Sequence, residues 1–257
     1  MGPKPAFCFH GYGEESNSFS FLEKYAADQY TFFAIDLPYH GQTQWNEGLI
    51  FTIDDLSEII QVLLSQAMAE QRLTNNDQLS LIGFSLGGRV VLSVYEKMHF
   101  QIEKLILLAP DGLKVNFWYW LSTQTWIGNK LFISTMKHPG WFFFLLRILN
   151  KLGLVNASVF KFVNHYIGDQ QARNILYQRW IVLRKIKPNL KKIKSLISKN
   201  NTPVRLIYGK HDRIILPVRG EKFIRGIEKH CTLSVIHSGH QVLHENHVGE
   251  LLPALLH

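Results

Sequence analysis

The sequence predicts an α/β fold in which helices cover both faces of a mostly parallel, open sheet. Three observations predict it. Short β-rich runs alternate with segments of helical periodicity. These runs lack the alternation of polar and apolar residues that marks a strand with one face in water. A chain of 257 residues with 46% hydrophobic residues also has enough apolar material for one core and an insertion.

The first part of the chain supplies four strands and two helices. Apolar residues recur at helical spacing from Thr52 to Arg72, which predicts a helix there. A second helix is predicted over Leu86–Met98, directly after a strand. The β-branched and aromatic runs predict strands at 6–10, 31–36, 79–84 and 104–109.

The last part of the chain resumes the same rhythm. Strands are predicted at 204–208 and 232–237, and a helix over 217–229 begins with a proline, as helices often do. A final helix begins at Val248. Right-handed crossovers place the carboxyl ends of parallel strands along one edge of the sheet, where ligands of such folds bind. We therefore predict a core formed by 1–112 and 202–257.

The stretch 113–201 interrupts this rhythm and is too long for a plain loop. It contains the aromatic runs W-Y-W at 118–120 and W-F-F-F-L-L at 141–146, together with helical patterns around 157–186. We predict that it forms a helical cap over the strand ends. Its aromatic residues could line an acyl pocket, face a membrane or pack the core of the cap itself.

Charge is divided unevenly along the chain. From Lys114 to Asn200 there are 15 Lys and Arg residues and one acid, Asp169, for a net charge of +14, whereas the remainder carries −6. A solvated basic face would explain this division. A more specific hypothesis is that the cap attracts an anionic, acyl-bearing substrate or the surface of an anionic membrane. Nucleic acid fits the charge, but the sequence contains no recognition motif for it.

The segment Gly83-Phe84-Ser85-Leu86-Gly87 matches the pattern G-x-S-x-G. A predicted strand leads into it and a predicted helix follows, which is the context that holds a serine hydroxyl clear of the sheet at a helix N-terminus. A glycine-rich turn without chemistry is the alternative. A phosphate-binding loop is disfavoured because the lysine and the G-x-x-x-x-G spacing are missing.

Four motifs together resemble the α/β-hydrolase superfamily over nearly the whole chain. They are the Ser85 segment and three others that follow predicted strands: His10-Gly11-Tyr12-Gly13, Asp36-Leu37-Pro38-Tyr39-His40-Gly41-Gln42-Thr43, and Gly209-Lys210-His211-Asp212 with Gly239-His240. The order Ser, Asp, His along the chain is the order expected for this superfamily.

The resemblance implies a catalytic triad. Ser85 would be the nucleophile, His240 its base, and Asp212 the acid that orients the imidazole. Asp111 is an alternative acid, because it also follows a strand and some relatives take their acid from that place. Other candidates for the base are the neighbouring histidines His237, His244 and His247.

The resemblance also implies an oxyanion hole formed by the backbone N–H groups of Tyr12 and Leu86. Gly83 and Gly87 would be the glycines that permit the tight bend around the nucleophile. The segment 36–43 is interpreted as a structural turn without a chemical role.

A serine nucleophile indicates attack on a carbonyl carbon. We expect a serine hydrolase that cleaves a carboxylic ester or related acyl bond of a small molecule through an acyl-enzyme, without metal or cofactor. One alternative is cleavage of a C–C bond beside a ketone, as in a superfamily enzyme of menaquinone synthesis. The other is a non-catalytic protein that binds a small ligand on the same fold.

Two features bear on the location of the protein. The N-terminus lacks the charged and apolar regions of a secretory signal. Cys8 and Cys231 lie in apolar runs and are interpreted as buried thiols rather than a disulfide. A cytoplasmic protein is the expectation.

Overall fold

The computed structural model describes residues 2–74, 78–153 and 167–256. The chain divides into two compact units. The first, which we call the sheet unit, comprises Met1–Gln44, Phe51–Lys114 and Ile186–His257. The second, which we call the insertion unit, comprises Trp45–Ile50 and Val115–Lys185.

A six-stranded sheet in the order β2-β1-β3-β4-β5-β6 forms the centre of the sheet unit, and each of its pairings is parallel. The predicted α/β class is thereby confirmed. Every strand lies within two residues of its predicted bounds. The strands are β1 Lys4–Phe9, β2 Tyr30–Ile35, β3 Leu79–Phe84, β4 Ile102–Leu108, β5 Val204–Gly209 and β6 Cys231–Ile236.

Helices connect these strands and build the insertion unit. In the described part of the chain they are α1 Glu23–Ala26, α2 Ile53–Ala69, α3 Leu86–Met98, α4 Phe117–Gln124, α5 Trp126–Lys137, α6 Gly140–Lys151, α7 Gln170–Val182, α8 Leu190–Asn200, α9 Val218–Ile224 and α10 Val248–Leu256. The predicted helix over Leu86–Met98 has the same bounds as α3. The helix predicted over 217–229 is shorter, because α9 ends at Ile224 and Gly226 follows with a φ of 85°.

Burial explains why the central strands do not alternate. All six residues of β3 are buried, since helices cover both of its faces. Helix α3 is buried on most of its circumference, with Val90, Leu92 and Val94 all under 2% exposed. Helix α2 instead buries one face, and Thr52 and Asp55 form a reciprocal capping box at its start.

Helix α8 belongs to the sheet unit, whereas the sequence predicts an insertion over 113–201. Its buried residues Ile193 and Ile197 pack within the sheet unit, where α8 contacts α3. Glu96 of α3 accepts a hydrogen bond from the backbone N–H of Asn189 over 2.8 Å and pairs with Lys192 at 3.2 Å. The amphipathic pattern of this segment does not reveal which core it joins, so the sequence gives no boundary at residue 186.

The insertion unit is helical throughout its described regular structure. Asn116, Thr125 and Asp169 cap its helices α4, α5 and α7 by accepting backbone N–H groups. The buried guanidinium of Arg173 donates to the carbonyls of Met136, Ile167 and Gly168. Part of the helical pattern predicted around 157–186 falls on residues 154–166, which lie outside the described residues.

Both cysteines are free thiols, Cys8 buried and Cys231 half-buried. In the described ranges, no helix combines the length and apolar character needed to cross a bilayer.

Candidate active site

Ser85 stands on a strained bend between β3 and α3. Its backbone has a φ of 49° and a ψ of −111°, a conformation that costs a residue with a side chain on the order of 1–3 kcal/mol. Three backbone hydrogen bonds hold the bend. The N–H of Ser85 donates to Leu108 over 2.9 Å, and its carbonyl accepts from Gly88 over 2.9 Å and from Asp111 over 2.8 Å. Strand β4 and the loop after it therefore fix the position of the serine.

Two predicted glycines of the bend lie where a side chain has no room. A Cβ atom on Gly87 would overlap the backbone carbonyl of Phe9 at the end of β1. A Cβ atom on Gly83 would overlap the backbone of Gly87 itself. The strand and the helix can approach this closely only because both positions lack a side chain.

The structure brings Ser85, His240 and Asp212 into one hydrogen-bonded chain. Ser85 Oγ lies 3.0 Å from His240 Nε2, and His240 Nδ1 lies 2.7 Å from Asp212 Oδ2. Because the carboxylate can only accept, the network assigns the proton to Nδ1 and leaves Nε2 to accept from the hydroxyl. The arrangement can deprotonate Ser85 and stabilise the resulting imidazolium.

Asp212 is a fully buried carboxylate whose other oxygen is also satisfied. Its Oδ1 accepts the backbone N–H groups of Ile214 over 2.7 Å and Ile215 over 3.0 Å, while Oδ2 faces the imidazole. Nearby, burial raises the pKa of Tyr208, and the charge of Asp212 adds to this rise. Tyr208 therefore stays neutral at physiological pH.

The loops after β5 and β6 are joined, which positions His240 over the strand ends. The backbone N–H of His211 donates to Ser238 over 2.9 Å, and a Cβ on Gly209 would overlap the carbonyl of Gly239. The His240 ring also packs against Phe84, with 5.4 Å between the ring centroids. These contacts bring a histidine that is 155 residues away in sequence to the serine.

Asp111, the alternative acid, has a different partner. Its carboxylate pairs with Arg89 NH2 at 3.1 Å, and its backbone N–H supports the Ser85 bend. The imidazole of His240 is bound by Asp212. Asp111 therefore contributes to the bend rather than to the hydrogen bond of the base.

The alternative histidines also have other contacts. His237 Nε2 lies 3.2 Å from His211 Nε2. His244 Nδ1 accepts the backbone N–H of Asn246 over 3.1 Å, and the rings of His244 and His247 pack edge to face. Among these residues, His240 is the one hydrogen-bonded to the serine hydroxyl.

The two predicted oxyanion donors lie on elements that meet at the bend. Leu86 is the first residue of α3, where a backbone N–H has no acceptor within the helix. Tyr12 follows Gly11, and a Cβ on Gly11 would lie 3.0 Å from the ring of Phe84. The loop carrying Tyr12 thus runs against the residue that precedes Ser85. Donation by these two N–H groups to a substrate oxygen stays a prediction.

The buried side chain of His10 holds this loop, a role that the sequence does not reveal. The Nδ1 of His10 donates to the carbonyl of Gly11 over 2.8 Å, and its Nε2 accepts the backbone N–H of Leu37 over 3.1 Å. His10 is fully buried and joins the ends of β1 and β2. Asp36 Oδ1 accepts the backbone N–H of Ser16 over 2.6 Å. The segment 36–43 is therefore a turn that supports the loop carrying Tyr12.

Across residues 2–74, 78–153 and 167–256, no group of three or more His, Cys, Asp or Glu side chains could hold a metal ion. A cavity of about 360 Å³ lies within the insertion unit. Its lining residues are Leu49, Thr123, Gln124, Thr125, Trp126, Asn129, Tyr177, Ile181 and Arg184.

Comparison with known proteins identifies relatives of this chain over nearly its whole length. Residues 5–247 match the family model described as serine aminopeptidase, S33. An uncharacterized hydrolase, YugF, of Bacillus subtilis is 24% identical over 95% of this chain and 86% of its own length. A putative esterase/lipase 2 of Mycoplasma pneumoniae is 31% identical over 39% of this chain and 35% of its own length. A thermophilic esterase from Thermogutta terrifontis superposes with a TM-score of 0.65 at 18% identity, over 100% of this chain and 90% of that one.

Proposed function

Because this chain belongs to the serine aminopeptidase S33 family of α/β-hydrolases, and is therefore a hydrolase, we propose that it cleaves carboxylic esters through an acyl-enzyme on Ser85. One observation carries the proposal. The hydroxyl of Ser85, the imidazole of His240 and the carboxylate of Asp212 form a continuous hydrogen-bonded chain of 3.0 and 2.7 Å. This is the arrangement that activates a serine for attack on a carbonyl.

In the acylation step, Ser85 Oγ attacks the ester carbonyl carbon while its proton passes to His240 Nε2. The imidazolium is stabilised by the carboxylate of Asp212, which is buried against it. Negative charge develops on the carbonyl oxygen, and the backbone N–H groups of Leu86 and Tyr12 would receive it. Collapse of the tetrahedral intermediate breaks the C–O bond, and His240 returns the proton to the departing alcohol.

Deacylation repeats these steps with water in place of the serine. His240 Nε2 takes a proton from water as its oxygen attacks the acyl carbon. The second tetrahedral intermediate releases the carboxylic acid and returns the proton to Ser85 Oγ. No redox change occurs, and the balanced products are one alcohol and one acid.

Ester substrates are favoured over peptide N-termini by charge. An aminopeptidase substrate carries an α-ammonium group, whereas the net charge of +8 of this chain, which comes from residues 114–200, attracts anions at long range. The names of the mycoplasmal relative and of the thermophilic esterase point to ester chemistry as well. We therefore propose a small neutral or anionic ester as the substrate class.

The test is a substrate series on the full chain. It comprises p-nitrophenyl esters from acetate to laurate, one acyl thioester and alanine p-nitroanilide. We expect ester hydrolysis that falls by at least about 10⁴-fold in Ser85→Ala. Ser65→Ala is the matched control, because Ser65 lies on α2 and donates to the carbonyl of Gln61 in the same helix. Retention of activity in Ser85→Ala, or hydrolysis confined to the anilide, would overturn the proposal.

A further inference from the structure

Exposed apolar side chains are concentrated in the insertion unit. Of the 21 large hydrophobic residues that are exposed in the described part of the chain, 14 lie in this unit. They include Trp118 at 68%, Trp126 at 72% and Phe144 at 66% exposure. Single exposed apolar residues are ordinary on protein surfaces, but a concentration of aromatic ones marks an interaction surface.

Helix α6 presents the most regular part of this surface. The helix buries Leu146, while four apolar residues on another side of it, and Leu152 directly after its end, are each at least 40% exposed. The other four residues follow the first, Trp141, by three, four, seven and eleven positions. On a helical projection this spacing places all five within a sector about 100° wide. We call them the α6 face: Trp141, Phe144, Leu145, Ile148 and Leu152. An amphipathic helix normally turns such a stripe toward a core, whereas here it faces solvent.

Positive charge lies beside the α6 face. Arg147 and Lys151 are exposed, and on a helical projection both fall next to Phe144. Helix α5, which contacts α6, exposes Lys130 and Lys137 among apolar residues of its own. The insertion unit as a whole has nine Lys and Arg residues against two acids. The surface next to the α6 face therefore attracts anions.

We propose that the α6 face binds the surface of a bilayer that contains anionic lipids. The helix would lie in the interface, with its apolar residues among the acyl chains and Arg147 and Lys151 at the phosphates. Its 12 residues span about 18 Å, which is too short to cross a hydrocarbon core of about 30 Å. Charge selects this occupant over a second copy of the chain, because pairing two α6 faces would bring two basic surfaces together.

The experiment measures co-sedimentation with vesicles in about 0.1 M salt. One vesicle preparation is phosphatidylcholine alone, and the other contains phosphatidylglycerol as well. The full chain carries Ser85→Ala, so that hydrolysis of lipid cannot alter the vesicles, and the outcome does not depend on the proposed activity. The test variants are Phe144→Ser with Ile148→Ser, and Arg147→Gln with Lys151→Gln. Val62→Ser on α2 is the control, since Val62 is 56% exposed outside the insertion unit.

We expect binding to the anionic vesicles at least about tenfold tighter than to the neutral ones, and weakened by added salt. The serine pair should weaken binding by about tenfold or more, the glutamine pair should remove most of the anionic preference, and Val62→Ser should change neither. Circular dichroism of each variant verifies that it is folded. Absence of vesicle binding, binding unaltered in the folded serine pair, or self-association through this face in sedimentation velocity would overturn the proposal.

Discussion

The substitution Asp212→Asn tests how the base is held. In the structure, Oδ1 of Asp212 accepts two backbone N–H groups and Oδ2 accepts from His240. An asparagine can keep its carbonyl oxygen on the N–H groups of Ile214 and Ile215, so the fold is retained. Its NH₂ group then replaces Oδ2 and points a donor at His240 Nδ1. The imidazole must shift its proton to Nε2, where it can no longer accept the proton of Ser85.

The expected loss follows from that change of tautomer. A triad histidine held in the wrong tautomer lowers kcat by about 10⁴-fold. At 1.36 kcal/mol for each factor of ten, this corresponds to about 5.4 kcal/mol of transition-state stabilisation. KM should change little, because the Asp212 side chain is fully buried and contacts the imidazole.

The assay is hydrolysis of p-nitrophenyl butyrate, with kcat and KM measured separately and the thermal midpoint recorded for each variant. Asp111→Asn is the matched control. It removes the ion pair with Arg89, which is partly exposed, and should lower kcat by less than about tenfold. A folded Asp212→Asn enzyme within tenfold of the wild type, or a 10⁴-fold loss in Asp111→Asn, would refute the assignment of the acid.

Three further predictions concern the bend and the thiols. Gly87→Ala should destabilise the protein by about 3 kcal/mol, because the added methyl group meets the backbone of Phe9. Gly249 on α10 has open space around it, so Gly249→Ala should not destabilise the protein. Urea unfolding of both variants measures the difference. Leu86→Ala should lower the melting temperature, because the Leu86 side chain is only 5% exposed. It should leave kcat within about tenfold of the wild type, because the proposed oxyanion donor is the backbone N–H of residue 86. A 10³-fold drop in kcat in the folded variant would contradict this. Burial raises the pKa of Cys8 above its usual range and that of Cys231 to about 11. At pH 8 only about one Cys231 in a thousand is a thiolate, so iodoacetamide should neither label the native protein quickly nor reduce ester hydrolysis.

The sequence predicted the parts of the fold that depend on local pattern. The run Leu79–Phe84 and the helix Leu86–Met98 have the predicted bounds because a buried strand and a helix of strong periodicity meet at a glycine-flanked bend. The boundary of the insertion could not be found in this way. Lys187–Asn200 is as basic as the segment before it, and only the packing of Ile193 and Ile197 assigns it to the sheet unit.

For the candidate site, the sequence identified the participants but not all of their partners. Ser85, Asp212 and His240 were predicted from motifs, and the structure brings them together. The competition between Asp212 and Asp111 was open because both follow a strand, and the decisive feature, the contact of Asp111 with Arg89, is tertiary. The link from His10 to the backbone of Leu37 has no sequence signal for the same reason.

In the proposed mechanism, His240 makes the hydroxyl of Ser85 nucleophilic. Treatment of the folded protein with a fluorophosphonate, followed by peptide mass spectrometry, tests it directly. We expect one phosphonylated residue, Ser85, and a loss of labelling in both Ser85→Ala and His240→Ala. Modification of a different residue, or equal labelling in folded His240→Ala, would contradict it.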